Sequence, residues 1–145
     1  LDYVHQNGLH HGDVRRDHLI LNDELDALCW IDFDVELSPQ PEAVQRDIFG
    51  LGNILLFVAG KGFHTRRHVQ KFPRGYPDAT SLEFEDAELI AELPTMWGRR
   101  IVNLRKLYPY IAEGLGNLLL HFSTMRGHGF RSAAEFADAL ESAIA

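Results

Sequence analysis

The sequence predicts a mainly α-helical fold with one small β-hairpin near its start. Two short β-type runs, Leu19 to Leu21 and Leu28 to Phe33, flank the turn-forming stretch Asn22 to Asp26. Ile48 to Ala59 is apolar at nearly every position, which predicts a buried helix. Near the end, Ser132 is followed three residues later by Glu135, the pattern of a helix-starting capping box.

The other elements follow in chain order. Leu1 to Gln6 reads as the end of a helix stopped by Asn7-Gly8. Leu9 to Asp17 is a loop that carries most of the unusual side chains. Pro39 and Pro41 break the stretch after the hairpin, and Gly60 and Gly62 end the apolar helix. Lys61 to Arg74 is basic and turn-rich: Lys61, Arg66, Arg67, Lys71 and Arg74, with no acid among them. It is expected to be a solvated surface facing an acidic amphipathic helix, Glu83 to Glu92. Further helices are expected from Pro94 to Leu107, from about Tyr110 to Phe122, and after Ser132 with Phe136 and Leu140 as the apolar stripe. Trp30, Trp97 and Cys29 are expected to be packing residues.

Composition bounds the function. The 145 residues are 46% hydrophobic and 24% charged, values of a globular chain rather than a disordered one, and enough for a single domain over 1–145. The longest apolar run, Ile54 to Ala59, is too short to cross a membrane, so no membrane partner is expected. A net charge of −7 gives no support to nucleic-acid binding. A lone cysteine, Cys29, excludes an internal disulfide and suits a reducing, cytoplasmic setting. The chain opens on Leu1 without a leader, which reads as an internal piece of a larger protein.

The chemistry concentrates in His11-Gly12-Asp13-Val14-Arg15-Arg16-Asp17-His18 and, past the hairpin, Ile31-Asp32-Phe33-Asp34. Phosphoryl transfer from ATP needs a carboxylate to orient the attacking hydroxyl, a cation near the phosphate, and oxygen ligands for Mg²⁺. Asp13, Arg15 and Asp32 are candidates for these parts, and a hairpin between the two loops would bring them to one end of the molecule. His10, His11, Asp13, Asp17 and His18 also have the ligand types of a transition-metal site.

These motifs resemble the protein-kinase-like superfamily, whose pattern is H-x-D, an Asn five residues after the Asp, then D-F-G. Here His11 and Asp13 match the first part, His18 stands at the Asn position, and Asp32-Phe33-Asp34 replaces D-F-G, its Asp32 14 positions after His18. Arg46-Asp47-Ile48-Phe49-Gly50-Leu51-Gly52 is similar to the start of the family's central helix, and Phe130-Arg131-Ser132-Ala133 to the lead into its closing helix.

The resemblance implies a kinase-like C-terminal lobe without its N-terminal lobe, and the cofactors ATP and Mg²⁺. It implies that Asp13 is the catalytic carboxylate, that Arg15 contacts phosphate, and that Asp32 is the principal metal ligand, with His18 at the second metal position. Ile20 would lie under the adenine, Asp47 would hold the His11 loop, and His11 and Phe33 would stack above it. Arg131 would serve a structural role. The acceptor would be a hydroxyl of a protein or of a small molecule. His-Gly-Asp and the short stretch from Asp32 to Asp47, 15 positions without an A-P-E motif, fit an atypical or small-molecule kinase better than a regulated peptide kinase. His18 at the Asn position also leaves open a pseudokinase that acts by binding.

Overall fold

The computed structural model describes residues 1–34, 42–91, 98–124 and 129–145. Its described residues form five α-helices and a two-stranded antiparallel hairpin: α1 (Asp2–Gln6), β1 (Leu19–Asn22), β2 (Ala27–Trp30), α2 (Ala43–Gly60), α3 (Arg66–Lys71), α4 (Glu113–Leu120) and α5 (Ala133–Ile144). This is the mainly helical arrangement with a small hairpin that the sequence predicts.

The hairpin pairs Leu19 with Trp30, Ile20 with Cys29, Leu21 with Leu28 and Asn22 with Ala27. Its turn forms because the Asn22 side-chain oxygen accepts from the amides of Glu24 and Leu25, both at 3.1 Å, an arrangement available to Asn and not to an apolar residue. The second strand ends at Trp30, three residues before the predicted end.

Helix α2 begins at Ala43, five residues ahead of the expected start, and carries Ile48, Phe49 and Leu56 into the core. It ends where Lys61 turns left-handed at φ 53°, with Gly62 donating to the Phe57 carbonyl. The 18 residues of α2 have a mean hydropathy of 1.2, so by length and composition it passes the test for a membrane span that the shorter run Ile54 to Ala59 fails. Its place is the centre of the fold, where it packs against α4 and the turn at His121–Ser123. Each large side chain it buries there contributes about 1.5–3 kcal/mol.

Three predicted helices take another form. Glu83 to Glu92 is not an amphipathic helix: only Asp86–Glu88 turns, as a 3-10 segment, and Leu89 is extended and bridges Ile101. Leu89 and Ile90 are adjacent and both fully buried, so pairing with 100–102 wins over helix propensity (Glu92 lies outside the described residues). Within Pro94 to Leu107, residues 94–97 lie outside the described residues and with them the expected helix start and Trp97. Arg100 and Ile101 form β-bridges with Thr65 and Leu89, and only Leu104–Lys106 turns. The β-branched Ile101 and Val102 are completely buried there. The helix expected from Tyr110 starts at Glu113, because Pro109 and Tyr110 make a turn that drops Ile111 into the core. Pro39 and Pro41 lie outside the described residues.

The remaining boundaries hold up. Helix α1 ends at Gln6 with Asn7 as its cap. The Ser132 hydroxyl accepts from the Glu135 amide at 3.1 Å, but the Glu135 carboxylate reaches back to the Arg131 amide at 2.7 Å rather than to Ser132, so the box closes one residue early. Phe136 is buried and Leu140 packs beside it. The five cations of Lys61 to Arg74 are all exposed, and the segment contains the short helix α3. Asp2 of α1 accepts from the Ala134 amide at 3.3 Å, which ties the start of the chain to the first turn of α5.

Candidate active site

Asp47 is the anchor. It sits in the second turn of α2 with no solvent exposure, and its carboxylate accepts from the His11 amide at 2.6 Å and the Gly12 amide at 2.9 Å. The same carboxylate takes a third bond, 3.0 Å, from His5 Nε2 of α1. Burial alone would push the Asp47 carboxyl up, but the bonds from His5 and from the His11 and Gly12 amides outweigh it and hold it below the ordinary carboxylate range. The loop lies tight on the helix. A Cβ at Gly50 would collide with the Val14 carbonyl. Gly12 itself adopts φ 85° with the Asp34 carbonyl against the place a Cβ would take, so the middle position of His-Gly-Asp requires glycine for two independent reasons.

From this anchor the loop delivers its side chains. The fully buried His11 ring stacks on Phe33 at 4.3 Å between centroids and 27° between planes, and meets the edge of Trp30 at 5.2 Å. Its Nδ1 accepts from the Asp13 amide at 3.3 Å. Two backbone bonds bind the loop before the hairpin to the segment after it: Asp34 N–H to the His11 carbonyl at 2.8 Å, and Ile31 N–H to the His18 carbonyl at 2.9 Å. Asp32, between them, adopts φ 54°, a left-handed conformation that Asp tolerates better than most residues.

His18 is the meeting point of the carboxylates. Its ring is buried, with Nδ1 3.0 Å from the Asp13 carbonyl and 3.5 Å from Asp13 Oδ2, and Nε2 3.8 Å from Asp32 Oδ2. Arg15 Nε donates to His18 Nε2 at 3.0 Å. A guanidinium only donates, so Nε2 is the accepting nitrogen and the proton is on Nδ1, facing the Asp13 carbonyl. Arg15 also lies 3.5 Å from Asp13 and 3.4 Å from Asp17, in a half-exposed position where such pairs are worth little individually.

Asp13, Arg15, His18 and Asp32 thus come together, with His11, Phe33 and Asp47 behind them. Ile20 lies apart on the hairpin, 44% exposed and paired with Cys29, on the face opposite the exposed Leu21 and Leu28 pair. Arg131 makes none of the bonds of this group: its side chain is 90% exposed and its ion partner is Glu135 on the next turn, 3.4 Å away. Among the described residues, no three His, Cys, Asp or Glu side chains converge as ligands of one ion, so the alternative set of His10, His11, Asp13, Asp17 and His18 does not form a cluster.

His5 escapes sequence reasoning, since no motif marks it. Only the packing of α1 against the loop brings it to Asp47. Arg46, Asn53, Phe63 and Arg100 likewise converge with Asp13 on one cleft despite wide separation in the chain.

A second buried carboxylate shares the acid behaviour of Asp47. Burial raises Glu88, but Lys106 at 2.6 Å, the Glu85 amide and Asn103 lower it further, for a net depression. A depressed folded value gives stability that is present above the unfolded carboxylate range, near pH 4, and is lost as pH falls through the folded value. Urea midpoints are therefore expected to hold level down to about pH 5 and then fall with acidification. Asp47→Asn should flatten that slope; an unchanged slope would remove Asp47 from the explanation.

Comparison of the chain with protein-family models, with curated proteins and with solved structures finds no match.

Proposed function

We propose that this chain carries the catalytic half of an ATP- and Mg²⁺-dependent phosphotransferase of protein-kinase-like fold, acting on a hydroxyl acceptor. The observation that carries the reading is the convergence of Asp13 and Asp32 on His18, from loops on either side of the hairpin, in a frame fixed by Asp47. The order of His11, Asp13, Asp32, Phe33 and Asp47 along the chain supports it as well.

In this reading Asp13 orients the acceptor hydroxyl and takes its proton, and Arg15 steadies the transferred phosphate. Asp32 holds the metal. Its side chain is 73% exposed with His18 beside it at 3.8 Å, and a single open carboxylate completed by phosphate oxygens and water suits Mg²⁺. Mg²⁺ would neutralise charge on the phosphates. His18 is a poor second ligand, because Mg²⁺ prefers hard oxygen donors to imidazole nitrogen and both nitrogens of His18 already have partners. Its role is to hold Asp13 and Arg15 in position.

The 145 residues contain neither a glycine-rich phosphate loop nor its accompanying lysine. A second lobe over the hairpin would supply them, and the exposed cross-strand pair Leu21 and Leu28 offers it an apolar contact. An ATP-dependent enzyme with one unpaired cysteine, Cys29, fits the cytoplasm.

The test is Mg·ATP binding and transfer of the γ-phosphate by the complete protein, wild type against Asp32→Asn. Metal-dependent binding is expected to weaken about tenfold or more in the variant, with turnover lost. The engaged His18 favours a second reading, a kinase-fold protein that binds a partner without turnover. Nucleotide-independent partner binding, with no Mg·ATP binding in the wild type, would establish that reading instead.

A further inference from the structure

We propose that the cleft beside Asp13 is the acceptor site and that it selects a hydroxyl acceptor bearing an anionic group, phosphate or carboxylate. This rests on the phosphotransfer reading above and adds the class of acceptor.

The cleft, about 460 Å³, lies between the Asp13 loop and α2 and extends to Phe63 and Arg100. That is the size of a small-molecule pocket or of a few peptide residues. Asp13 lines it; Asp32, Ile20 and Phe33 do not, so it is separate from the face assigned to the nucleotide.

Its charge runs against that of the chain. Four arginines and two aspartates line it, within a protein of net charge −7. Arg15 is offset by Asp13 and Asp17 at 3.5 and 3.4 Å. Arg16, Arg46 and Arg100 have no carboxylate partner among the described residues.

Two of these three are held in place by aromatic rings. The Arg16 guanidinium lies 4.3 Å from the centre of Phe57, and that of Arg100 lies 3.9 Å from the centre of Phe63. Arg100 also donates to Asn53 at 3.2 Å from α2. A ring face and an amide fix the guanidinium plane without neutralising it. Arg100 is partly buried, and that burial works against its charge, yet a guanidinium stays protonated. A fixed, partly dehydrated cation with no counter-ion among the described residues is costly, and an incoming anion would offset the cost with charge-assisted, bidentate hydrogen bonds. The cation array and the candidate proton acceptor Asp13 share one cleft, so an anion bound to the arginines would hold its own hydroxyl near Asp13.

The experiment uses the complete protein, with glycerol 3-phosphate against glycerol, and a serine peptide flanked by glutamates against one flanked by alanines. Calorimetric binding without nucleotide and initial rates of transfer from ATP are both read. The anionic member of at least one pair is expected to be preferred about tenfold or more, the pair identifying whether the source is a small molecule or a peptide. R46Q and R100Q should each remove most of that preference, read as the ratio of rates with the anionic and the neutral acceptor. Arg46 is exposed on α2, so R46Q keeps the test valid even where R100Q disturbs packing.

Equal use of neutral and anionic acceptors, or anion binding unchanged in both variants, would overturn the proposal while leaving phosphotransfer intact. Arginine-dependent anion binding without turnover on any acceptor would support the anion site and refute the phosphotransfer reading instead.

Discussion

Asp13→Asn is expected to lower phosphate transfer by the complete protein by about 10²–10⁴-fold, with Mg·ATP affinity unchanged within about twofold. Asparagine has nearly the shape of aspartate, so the loop should keep its form. The main-chain bonds that fix it use the Asp13 amide and carbonyl, to His11 at 3.3 Å and His18 at 3.0 Å, and neither involves the carboxylate. What the substitution removes is the anion that accepts a proton. The effect should therefore fall on kcat and not on nucleotide binding. Arg15 would lose one of its two carboxylate neighbours and keep Asp17, a small change at half-exposed positions. Equal transfer by the two proteins would remove Asp13 from the catalytic role.

The largest loss of stability is expected from Asp47→Ala, roughly 3–5 kcal/mol, read as a lower urea midpoint at unchanged slope. Alanine leaves the His11 and Gly12 amides and the His5 imidazole without their acceptor. A buried donor deprived of its partner costs about 1–3 kcal/mol, and of the three donors His11 is completely buried. His5→Ala should cost less, and the double variant should cost less than the sum, because both changes break one shared network. Additive losses would mean that His5 is held by packing alone. Phosphate transfer should fall with Asp47→Ala as well, since the carboxylate that locates His11 also locates Asp13 two residues on.

Local chemistry explains which parts of the fold were legible in the sequence. The hairpin was readable because Asn22 makes its own turn and the strands consist of β-type residues. The end of α2 was readable from its glycines and the start of α5 from Ser132. The helices expected over Glu83 to Glu92 and Pro94 to Leu107 do not form in their described parts, 83–91 and 98–107, because the conformations of these two stretches depend on each other. Glu88 carries the charge of a surface helix, yet it is buried, and Lys106 and Asn103 bind it at 2.6 and 2.5 Å. Neither partner is visible from the local pattern, and the pairing of Leu89 with Ile101 is a long-range choice.

The candidate site divides in the same way. The sequence by itself determined which groups are available: the carboxylates of Asp13 and Asp32, the imidazoles of His11 and His18, and the buried Asp47 that follows Arg46. It also fixed their order, and a turn of known type between the two loops. Only the tertiary structure decided that His18 has both nitrogens engaged, that His5 completes the Asp47 network, and that Arg46 and Arg100 line one cleft with Asp13 and Arg16. Residue type and short spacing set which local hydrogen bonds a segment can make. Which distant charges meet depends on how α2 and the extended segment at Arg100 pack around the loop, and no local pattern encodes that.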